Sequence, residues 1–263
     1  RTWKPEYVSR TKTDVNNIKV ANNVFTNEEM NRLIYERIYS SELSSKKKYK
    51  YSDLGFYLFK KIIEKQTNQG LDEYVRDNFY KSLGAYSLTY NPMDAGIDKS
   101  LIPPTEYDYK FRKQLIHGHV HDYGAALLGG VGGHAGLFSS ANDLAKLMQM
   151  FLQGGQYAGN RYIEEETIKK FTTRPFSNSR RALGFDGTNG SGAGPACALT
   201  SSNSYGHTGF SGCMVWVDPK HDFIYIFLSN RIYPSIENNK LLELNVREKI
   251  QSVFYQSFIY YTK

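Results

Sequence analysis

Two short polar segments carry the residue types best suited to chemistry. Tyr51-Ser52-Asp53 stands at the predicted start of a helix, where Ser and Asp commonly cap the backbone. A tyrosine in that place can also carry a proton, because the positive end of the helix dipole favours a phenolate. The second segment, Gly206-His207-Thr208-Gly209, leads into an apolar run over 213–217 that predicts a buried strand. Glycines at the head of a strand let a ligand come close, so this segment suits the wall of a binding site.

Helices dominate the first part of the chain. Thr26-Asn27-Glu28-Glu29 is typical of a capping box with Thr26 as the N-cap, and Ser140 is expected to cap a later helix. Residues 1–172 are therefore predicted to form a mainly helical part. Apolar residues at helical spacing place its helices over about 26–39, 53–70, 71–83, 122–128, 140–152 and 164–171.

The pattern changes after residue 172. Strands are predicted over 183–185, 205–217 and 223–229, and the apolar runs on either side of Asp218-Pro219 predict an antiparallel hairpin. A long amphipathic helix over 241–260 follows. Helices followed by strands and a closing helix predict one mixed α+β domain over 1–263, an antiparallel sheet flanked by helices, in which 173–263 supply the strands and the C-terminal helix.

Composition and charge exclude several classes of protein. The net charge is +7, but the basic residues are scattered, and the tightest cluster, Lys46-Lys47-Lys48, stands without any nucleic-acid reader motif. We therefore expect no nucleic-acid partner. No window reaches the ~18 apolar residues of a membrane helix, and no signal peptide opens the chain. Two cysteines, Cys197 and Cys213, leave the redox compartment open.

Taken together, these motifs resemble the serine β-lactamase and penicillin-binding-protein superfamily, in its branch of class C-like hydrolases and esterases. That superfamily carries a Tyr-x-Asn element on a helical subdomain and a Lys/His-Thr/Ser-Gly element on a facing strand. Tyr51-Ser52-Asp53 and His207-Thr208-Gly209 match them in type and order. The segment from Val120-His121-Asp122 to Gly133-His134-Ala135-Gly136 also looks like this branch. The resemblance covers nearly the whole chain, and it is most like the hydrolase domain that some Bacteroidetes proteins carry behind a family 3 glycoside hydrolase domain.

The resemblance implies acyl transfer through a Ser-x-x-Lys nucleophile, without a metal or a cofactor. Tyr51 would exchange protons with the nucleophile and the leaving group, and His207 would orient Tyr51 or the substrate. Thr208 would hydrogen-bond a substrate carboxylate or carbonyl, with Gly209 in the same wall. The backbone N–H of Phe210 would be one donor of the oxyanion hole.

Two departures from the family pattern bear on the substrate. Asp53 takes the place of the usual Asn, and an ionised carboxylate can only accept hydrogen bonds. His207 stands where a Lys is frequent, which implies weaker anchoring of a substrate carboxylate. An esterase, a D-amino-acid amidase or a peptidoglycan-peptide hydrolase is therefore favoured over a strong β-lactamase. The resemblance also implies a small-molecule or peptidoglycan-derived substrate and a periplasmic, cell-envelope or secreted setting.

Neither Ser-x-x-Lys string of the chain suits the nucleophile. Ser9-Arg10-Thr11-Lys12 is followed by a stretch too polar for the buried helix that the family needs, and Ser44-Ser45-Lys46-Lys47 predicts an exposed loop. The resemblance therefore predicts that the nucleophile and the first strands of the sheet precede Arg1, and that this chain alone is inactive. A sheet without those strands would expose an edge, which predicts self-association.

Other functions remain open on the sequence. A non-catalytic module that binds wall peptides or glycans would keep the cleft without the nucleophile. A zinc-dependent hydrolase would use His117, His119 and His121, which would share one face of a strand, together with Asp122. The glycine-rich run over 129–136 could cradle a phosphate, but it lacks the Lys-Ser/Thr ending of a P-loop, which favours a tight structural turn.

Overall fold

The structure, a computed structural model, describes residues 5–45, 49–188 and 194–261. The chain forms two compact units, which are described one at a time. The first unit comprises Arg1–Asn78 and Ser87–Ser139, and the second comprises Phe79–Tyr86 and Ser140–Lys263. No helix in the described parts of the chain is long and apolar enough to cross a membrane.

Among its described residues, the first unit contains four α-helices and two small antiparallel hairpins. One π-helical turn, Arg76–Tyr80, directly follows the third of these helices. Strand β1 pairs with β2, and β3 pairs with β4. In chain order the elements are β1 (Ile18–Ala21), β2 (Val24–Thr26), α1 (Glu28–Tyr39), α2 (Leu54–Thr67), α3 (Leu71–Val75), β3 (Glu106–Asp108), β4 (Gln114–Ile116) and α4 (Tyr123–Leu127).

The start of α1 differs from the predicted capping box by one residue. Asn27 is the N-cap, and its side chain accepts a hydrogen bond of 3.0 Å from the N–H of Met30. Thr26 instead ends β2, where it pairs with Ile18 and donates its hydroxyl to the carbonyl of Tyr7 at 2.8 Å. The Thr26 hydroxyl is thus buried in the hairpin and unavailable to the helix, so the predicted cap was wrong.

A buried arginine holds the second hairpin of the first unit to the segment that precedes α4. The Arg112 side chain is fully buried, and its Nε lies 2.8 Å from Oδ2 of Asp108. Its two terminal nitrogens donate to the carbonyls of Val120 (2.6 Å) and His121 (2.9 Å). Burial alone would raise the pKa of Asp108, but donors from Phe111 and Arg112 outweigh it and hold that pKa below its usual range.

Among its described residues, the second unit contains four α-helices, one short hairpin and a four-stranded antiparallel sheet, in which the last four strands of the chain lie in reverse sequence order, β10-β9-β8-β7. Ser140 caps its first helix, as predicted, by accepting from the N–H of Asp143. In chain order the elements are α5 (Ala141–Leu152), β5 (Gln156–Tyr157), β6 (Asn160–Arg161), α6 (Glu165–Thr172), β7 (Asp186–Gly187), β8 (Tyr205–Thr208), β9 (Met214–Asp218), β10 (Phe223–Phe227), α7 (Lys240–Glu243) and α8 (Val246–Tyr261).

The predicted hairpin on either side of Asp218-Pro219 is confirmed, since β9 and β10 pair from Phe223↔Asp218 to Phe227↔Met214. Other boundaries differ. The predicted run over 205–217 is two strands, because the chain turns back over 209–213. The predicted strand over 183–185 falls just before β7. The predicted terminal helix is divided at Asn245, whose φ of +50° is left-handed.

Both faces of β9 are buried, which accounts for its continuous apolar run. Met214 and Trp216 pack with Tyr225 on one face. On the other face, Val217 packs with Tyr205 and with residues of α5. The sheet is therefore covered on both sides.

Asp218 is the last residue of β9, and its side chain is only 1% exposed. Its carboxylate nevertheless accepts five hydrogen bonds. Its Oδ2 accepts from the N–H of Ser201 (2.8 Å), Nδ1 of His221 (2.9 Å) and the hydroxyl of Tyr255 (2.7 Å). Its Oδ1 accepts from the hydroxyl of Ser201 and the N–H of Lys220. Burial acts to raise the pKa of Asp218, but these hydrogen bonds outweigh burial and keep it below the usual range.

We predict that Asp218→Asn destabilises the second unit in a pH-dependent way. A carboxyl whose pKa is lower in the folded state contributes stability above its unfolded pKa of about 3.9, and that contribution is lost as pH falls through the folded pKa. The substitution should lower the free energy of unfolding at pH 7 by about 2 kcal/mol or more. The difference from the unsubstituted protein should shrink below about pH 4.

Urea unfolding followed by tryptophan fluorescence between pH 3 and 7 measures this effect. The matched control is Asp222→Asn, because Asp222 is exposed and its φ of +48° suits asparagine. Equal stabilities of the two variants at pH 7 would contradict the prediction.

Candidate functional site

Tyr51 and Asp53 lie two positions apart, just before the start of α2 in the first unit. The Tyr51 side chain is 59% exposed. Ser52 accepts from the N–H of Leu54 at 3.2 Å through its hydroxyl. Asp53 is the N-cap residue, yet its carboxylate makes no capping hydrogen bond. At the helix start the Tyr51 side chain is therefore exposed, and the half-buried Asp53 carboxylate takes no part in capping.

The glycine-rich run over 129–136 packs against the first turns of α2. A Cβ on Gly133 would overlap the carbonyl oxygen of Phe56. Outside the run, a Cβ on Gly124 of α4 would overlap the hydroxyl of Tyr57. Only glycine lets these backbones approach the helix so closely. The run thus positions α2, as expected of a structural turn.

A buried histidine, His134, fastens α2 to the start of α4. Its side chain is 3% exposed, and its ring stacks on that of Tyr57 with centroids 4.2 Å apart. Its Nε2 lies 2.8 Å from Oδ1 of Asp122, which also caps α4 through the N–H of Ala125 at 2.8 Å. The sequence placed His134 in a family-like segment but gave it no role. The sequence feature that could have pointed to His134 is its position next to Gly133, because a residue as small as glycine lets α2 pack closely at that point.

Two pKa shifts in this cluster separate the roles of Tyr57 and Asp122. Burial raises the pKa of Tyr57 above its usual range, and the nearby Asp122 carboxylate adds to the shift. Burial also acts to raise the pKa of Asp122, but the hydrogen bonds from His134 and Ala125 outweigh it and lower that pKa. Tyr57 therefore stays a neutral phenol beside an ionised carboxylate, whereas the side chain of Tyr51 is exposed.

The three alternating histidines do not share the face of a strand, because β4 ends at Ile116. Nε2 of His117 contacts the carbonyls of Lys99 and Ile102. Nε2 of His121 lies 3.1 Å from Oε1 of Glu106. Within 5–45, 49–188 and 194–261, no three His, Cys, Asp or Glu side chains group as metal ligands. The placement of the three histidines on one strand face, on which the zinc alternative depended, is therefore wrong.

His119, which lies between them in the sequence, is buried. Its Nε2 lies 3.3 Å from Oδ1 of Asn22. Burial lowers the pKa of His119 to about 4, and the nearby positive charges of Lys19 and Arg112 add to this shift. The imidazole is therefore neutral at physiological pH and belongs to the packing of the first unit.

His207 and Thr208 end β8 in the second unit, beyond the two residues of β8 that pair with β7. His207 Nδ1 lies 2.8 Å from the carbonyl of Thr208, and Nε2 lies 3.3 Å from Nη1 of Arg181. A neutral ring with its proton on Nδ1 satisfies both contacts, because Nδ1 then donates and Nε2 accepts. Both side chains are half-buried at this end of the sheet.

Arg181 belongs to an ionic cluster that the sequence did not point to. Its Nη1 lies 3.4 Å from Oδ2 of Asp186 in β7, and Arg180 binds the same carboxylate through two nitrogens at 2.7 and 3.0 Å. A guanidinium group thus stands beside the histidine of the His-Thr-Gly segment. Nothing in the sequence near residue 181 marks this contact, because β7 brings it to β8 only in the folded sheet.

Gly209 and Phe210 lie in the turn that joins β8 to β9. The N–H of Gly209 donates to the carbonyl of Cys213 at 2.8 Å, and Gly212 has a φ of +107° that favours glycine. Phe210 is exposed, and its carbonyl accepts from Nε of Arg231 at 3.0 Å. The Arg231 guanidinium also lies 4.9 Å from the centre of the Phe210 ring. The turn is therefore held by an arginine from beyond β10.

The predicted site residues accordingly fall into two groups, each formed within its own unit. Tyr51 and Asp53 stand at the start of α2, which the Gly133-His134 segment positions. His207, Thr208, Gly209 and Phe210 are consecutive at the end of β8 and in the turn that follows.

Residues 16–246 match the family model described as Beta-lactamase. The curated protein "Putative D-alanyl-D-alanine carboxypeptidase" of Salmonella gallinarum (strain 287/91 / NCTC 13346) is 33% identical over 237 residues, which are 86% of this chain and 55% of the relative. The protein of the same name from Salmonella newport (strain SL254) is 32% identical over the same length. The chain spans about half the length of the curated relatives it matches.

Solved structures show a similar fold. A penicillin-binding protein homolog from Caulobacter crescentus superposes with a TM-score of 0.54 at 15% identity, covering 84% of this chain and 61% of the other. Simvastatin synthase (LovD) from Aspergillus terreus gives 0.53 at 13% identity, with the same two coverages. Sequence identities this low support a shared fold and no shared function. The predicted mixture of helices and antiparallel sheet is confirmed.

We predict that Gly206→Ala destabilises the protein, because β8 crosses Trp216 without room for a methyl group. A Cβ on Gly206 would overlap the carbonyl of Val215 and the indole of Trp216, which is 1% exposed. Overpacking of this kind should lower the free energy of unfolding by about 1–3 kcal/mol.

Gly209→Ala is the matched control, since the nearest atom to its Cβ would be 3.7 Å away, at Cys213. This exposed position should change stability by no more than about 0.5 kcal/mol. Thermal unfolding by circular dichroism compares the two variants, and equal losses would show that Trp216 does not require the glycine.

Proposed function

The chain belongs to the beta-lactamase family, and from this membership we propose that the protein hydrolyses an amide or ester bond through a serine acyl-enzyme. The family model matches residues 16–246. The single observation that carries the proposal is the end of β8, where half-buried His207 and Thr208 extend beyond β7 and lead into a turn held by Arg231. A polar strand end of this kind suits the wall of an acyl-transfer site.

In this proposal the residues of the first unit move protons. Tyr51 passes a proton between the nucleophile and the leaving group, because it is exposed, whereas the neighbouring Tyr57 is half-buried and held neutral. Asp53 accepts a hydrogen bond from an N–H of the substrate, since its carboxylate is not used in capping. His134 and Asp122 keep α2 in place while the proton moves.

The residues of the second unit bind the substrate. The Thr208 hydroxyl hydrogen-bonds a substrate carboxylate or carbonyl beside Gly209, and the N–H of Phe210 donates to the oxyanion. Arg181 lies 3.3 Å from His207 and brings a permanent positive charge to this wall. We therefore propose that Arg181 supplies the attraction for a substrate carboxylate.

The nucleophile is proposed to be a serine outside the two Ser-x-x-Lys strings. Ser9 forms a β-bridge with Phe25 and donates its hydroxyl to the carbonyl of Thr11. It therefore does not lie on a helix, where the side chain of Lys12, three residues later, would be on the same face. Lys46 and Lys47 of the second string lie outside the described residues. A nucleophile in the remainder of a longer protein is consistent with relatives of which the matched part is only 55%.

The proposed substrate is a peptide that ends in D-alanine, as the name of the Salmonella relatives indicates for those proteins. A terminal carboxylate on such a peptide matches the charge of Arg181. A cell-envelope setting follows from that substrate, and an attached glycoside hydrolase domain stays a prediction. Asp53 and the unsuited Ser9 favour one alternative, a module that binds wall peptides without cleaving them.

We predict that a longer protein carrying this chain reacts with a fluorescent penicillin, and that Tyr51→Phe slows acylation at least about 100-fold, because proton transfer to or from the reacting groups is lost. Tyr49→Phe is the control, since Tyr49 is also 59% exposed and lies two residues away. Rates of labelling measured by gel fluorescence distinguish the two variants.

The 263-residue chain by itself should remain unlabelled. Labelling of this chain would identify Ser9 or Ser44 as the nucleophile. If a longer protein binds a D-alanyl-D-alanine peptide in calorimetry but is never labelled, the result contradicts the hydrolase and supports the binding module.

A further inference from the structure

A cavity of about 650 Å³ lies within the second unit, apart from the residues assigned to acyl transfer. Its walls come from the end of α5, the β5–β6 hairpin, α6 and the segment over 202–205 that leads into β8. That segment enters β8 at the end opposite to His207 and Thr208. None of the residues used in the proposed reaction lines the cavity. It is therefore a second candidate site.

The cavity is formed by one part of the chain. All of its lining residues fall within 151–219, and the strands that border it are β7 and β8. The sheet's long outer strand, β10, lies beyond β9, on the side away from the cavity. Strands that a longer protein added next to β10 would therefore extend the sheet away from this site.

Two arginine side chains at the cavity are held in place without an acidic partner. Arg161 donates through Nη1 to the carbonyls of Gly154 (3.1 Å) and Ile163 (3.0 Å). Arg174 donates through Nη1 to the carbonyl of Thr188 at 3.0 Å. Neither guanidinium forms an ion pair within the part of the chain that the structure describes. Each keeps further N–H donors that suit the oxygens of a carboxylate or a phosphate.

The charge of the cavity is positive. Lys169 also lines it, and its contact with Glu166 is long, at 4.0 Å, between two largely exposed side chains. Glu165 is the only carboxylate among the described residues of the lining. Three cations and one carboxylate favour an anionic ligand over a neutral or a cationic one.

Amide and hydroxyl groups make up much of the remaining polar lining. Gln153, Gln156, Thr173 and Ser202 line the cavity, and their side chains make no hydrogen bond to any other described residue. Amides and hydroxyls both donate and accept hydrogen bonds. A ligand with several hydroxyl groups, such as a sugar, would satisfy them.

The size of the cavity calls for more than a bare anion. Pockets of about 300–1,000 Å³ hold small organic ligands. Phe151, Leu152 and Ile168 supply apolar surface to the lining, against which the carbon atoms of a ring can pack. The ligand should therefore combine an acid group, hydroxyls and an apolar face.

We propose that this cavity binds an acidic sugar, a hydroxylated ring that carries a carboxylate or a phosphate. Arg161 and Arg174 bind the acid group, and the amide and hydroxyl side chains of the lining bind the ring hydroxyls. Glu165 accepts from one hydroxyl and disfavours a second acid group on the same ligand. The site does not depend on acyl transfer.

Calorimetric titration of the 263-residue chain tests the ligand class. The probes are glucuronate, glucose 6-phosphate, glucose and inorganic phosphate. The tighter of the two acidic sugars identifies the acid group, and it should bind at least about tenfold more tightly than glucose or phosphate. Equal binding of glucose would exclude a role for the arginines, and equal binding of phosphate would exclude a role for the ring. Either result overturns the proposal, as does the absence of binding at about 10 mM of every probe.

Substitutions test the place of binding. Arg161→Gln and Arg174→Gln should each raise the dissociation constant of the acidic sugar at least about tenfold, because hydrogen bonds to its acid group are lost. Lys170→Gln is the matched control, since Lys170 is exposed on α6, carries the same charge and does not line the cavity. Its effect should stay below about twofold. Equal constants for the arginine variants and the control would overturn the proposal.

Two further measurements do not depend on folding of the arginine variants. Bound sugar should slow hydrogen exchange of the amides over 153–156 and 202–205 in the unsubstituted chain, and unchanged exchange there would overturn the proposal. A longer protein carrying this chain should bind the same sugar with a dissociation constant within about threefold of that of the chain. Loss of binding in that protein would mean that its remainder covers the cavity, which also overturns the proposal.

Discussion

A buried carboxylate must be surrounded by donors, and each unit of this protein is built around one. Asp108 in the first unit and Asp218 in the second are both almost fully buried. Without partners such groups would cost several kcal/mol each, so the chain has to bring N–H and O–H groups to them. Arg112 and the turn over 108–112 serve Asp108, whereas Ser201, His221 and Tyr255 serve Asp218. The lowered pKa of both carboxyls follows from these donors.

The candidate site residues lie at the ends of elements that these carboxylates fix. In the first unit, Arg112 binds the carbonyls of residues 120 and 121, and the next residue is Asp122. Asp122 holds His134, and His134 stacks on Tyr57 of the helix that begins beside Tyr51. Few of these groups touch a substrate in the proposed reaction, yet together they set the position of the phenol.

In the second unit the same constraint acts through the sheet. Asp218 anchors the end of β9, and β9 sets the register of β8 from Tyr205↔Val217 to Thr208↔Met214. Gly206 lets the indole of Trp216 lie against β8, while Arg181 and Arg231 hold the strand end and the turn that follow. The first strand of this sheet, β7, is short, and its Asp186 carboxylate is bound by Arg180 and Arg181 beside the proposed wall.

The sequence by itself determined the local features: the Ser140 cap, the β9–β10 hairpin, and the Tyr-Ser-Asp and His-Thr-Gly segments. Caps and periodicity act over three or four residues, so they can be predicted from neighbours alone. Tertiary structure decided the rest. It moved the α1 cap from Thr26 to Asn27, gave the three histidines separate partners, and set Arg181 beside His207 and His134 under α2. Those outcomes depend on groups 12 to 97 positions away along the chain, and only packing brings such groups within hydrogen-bonding distance.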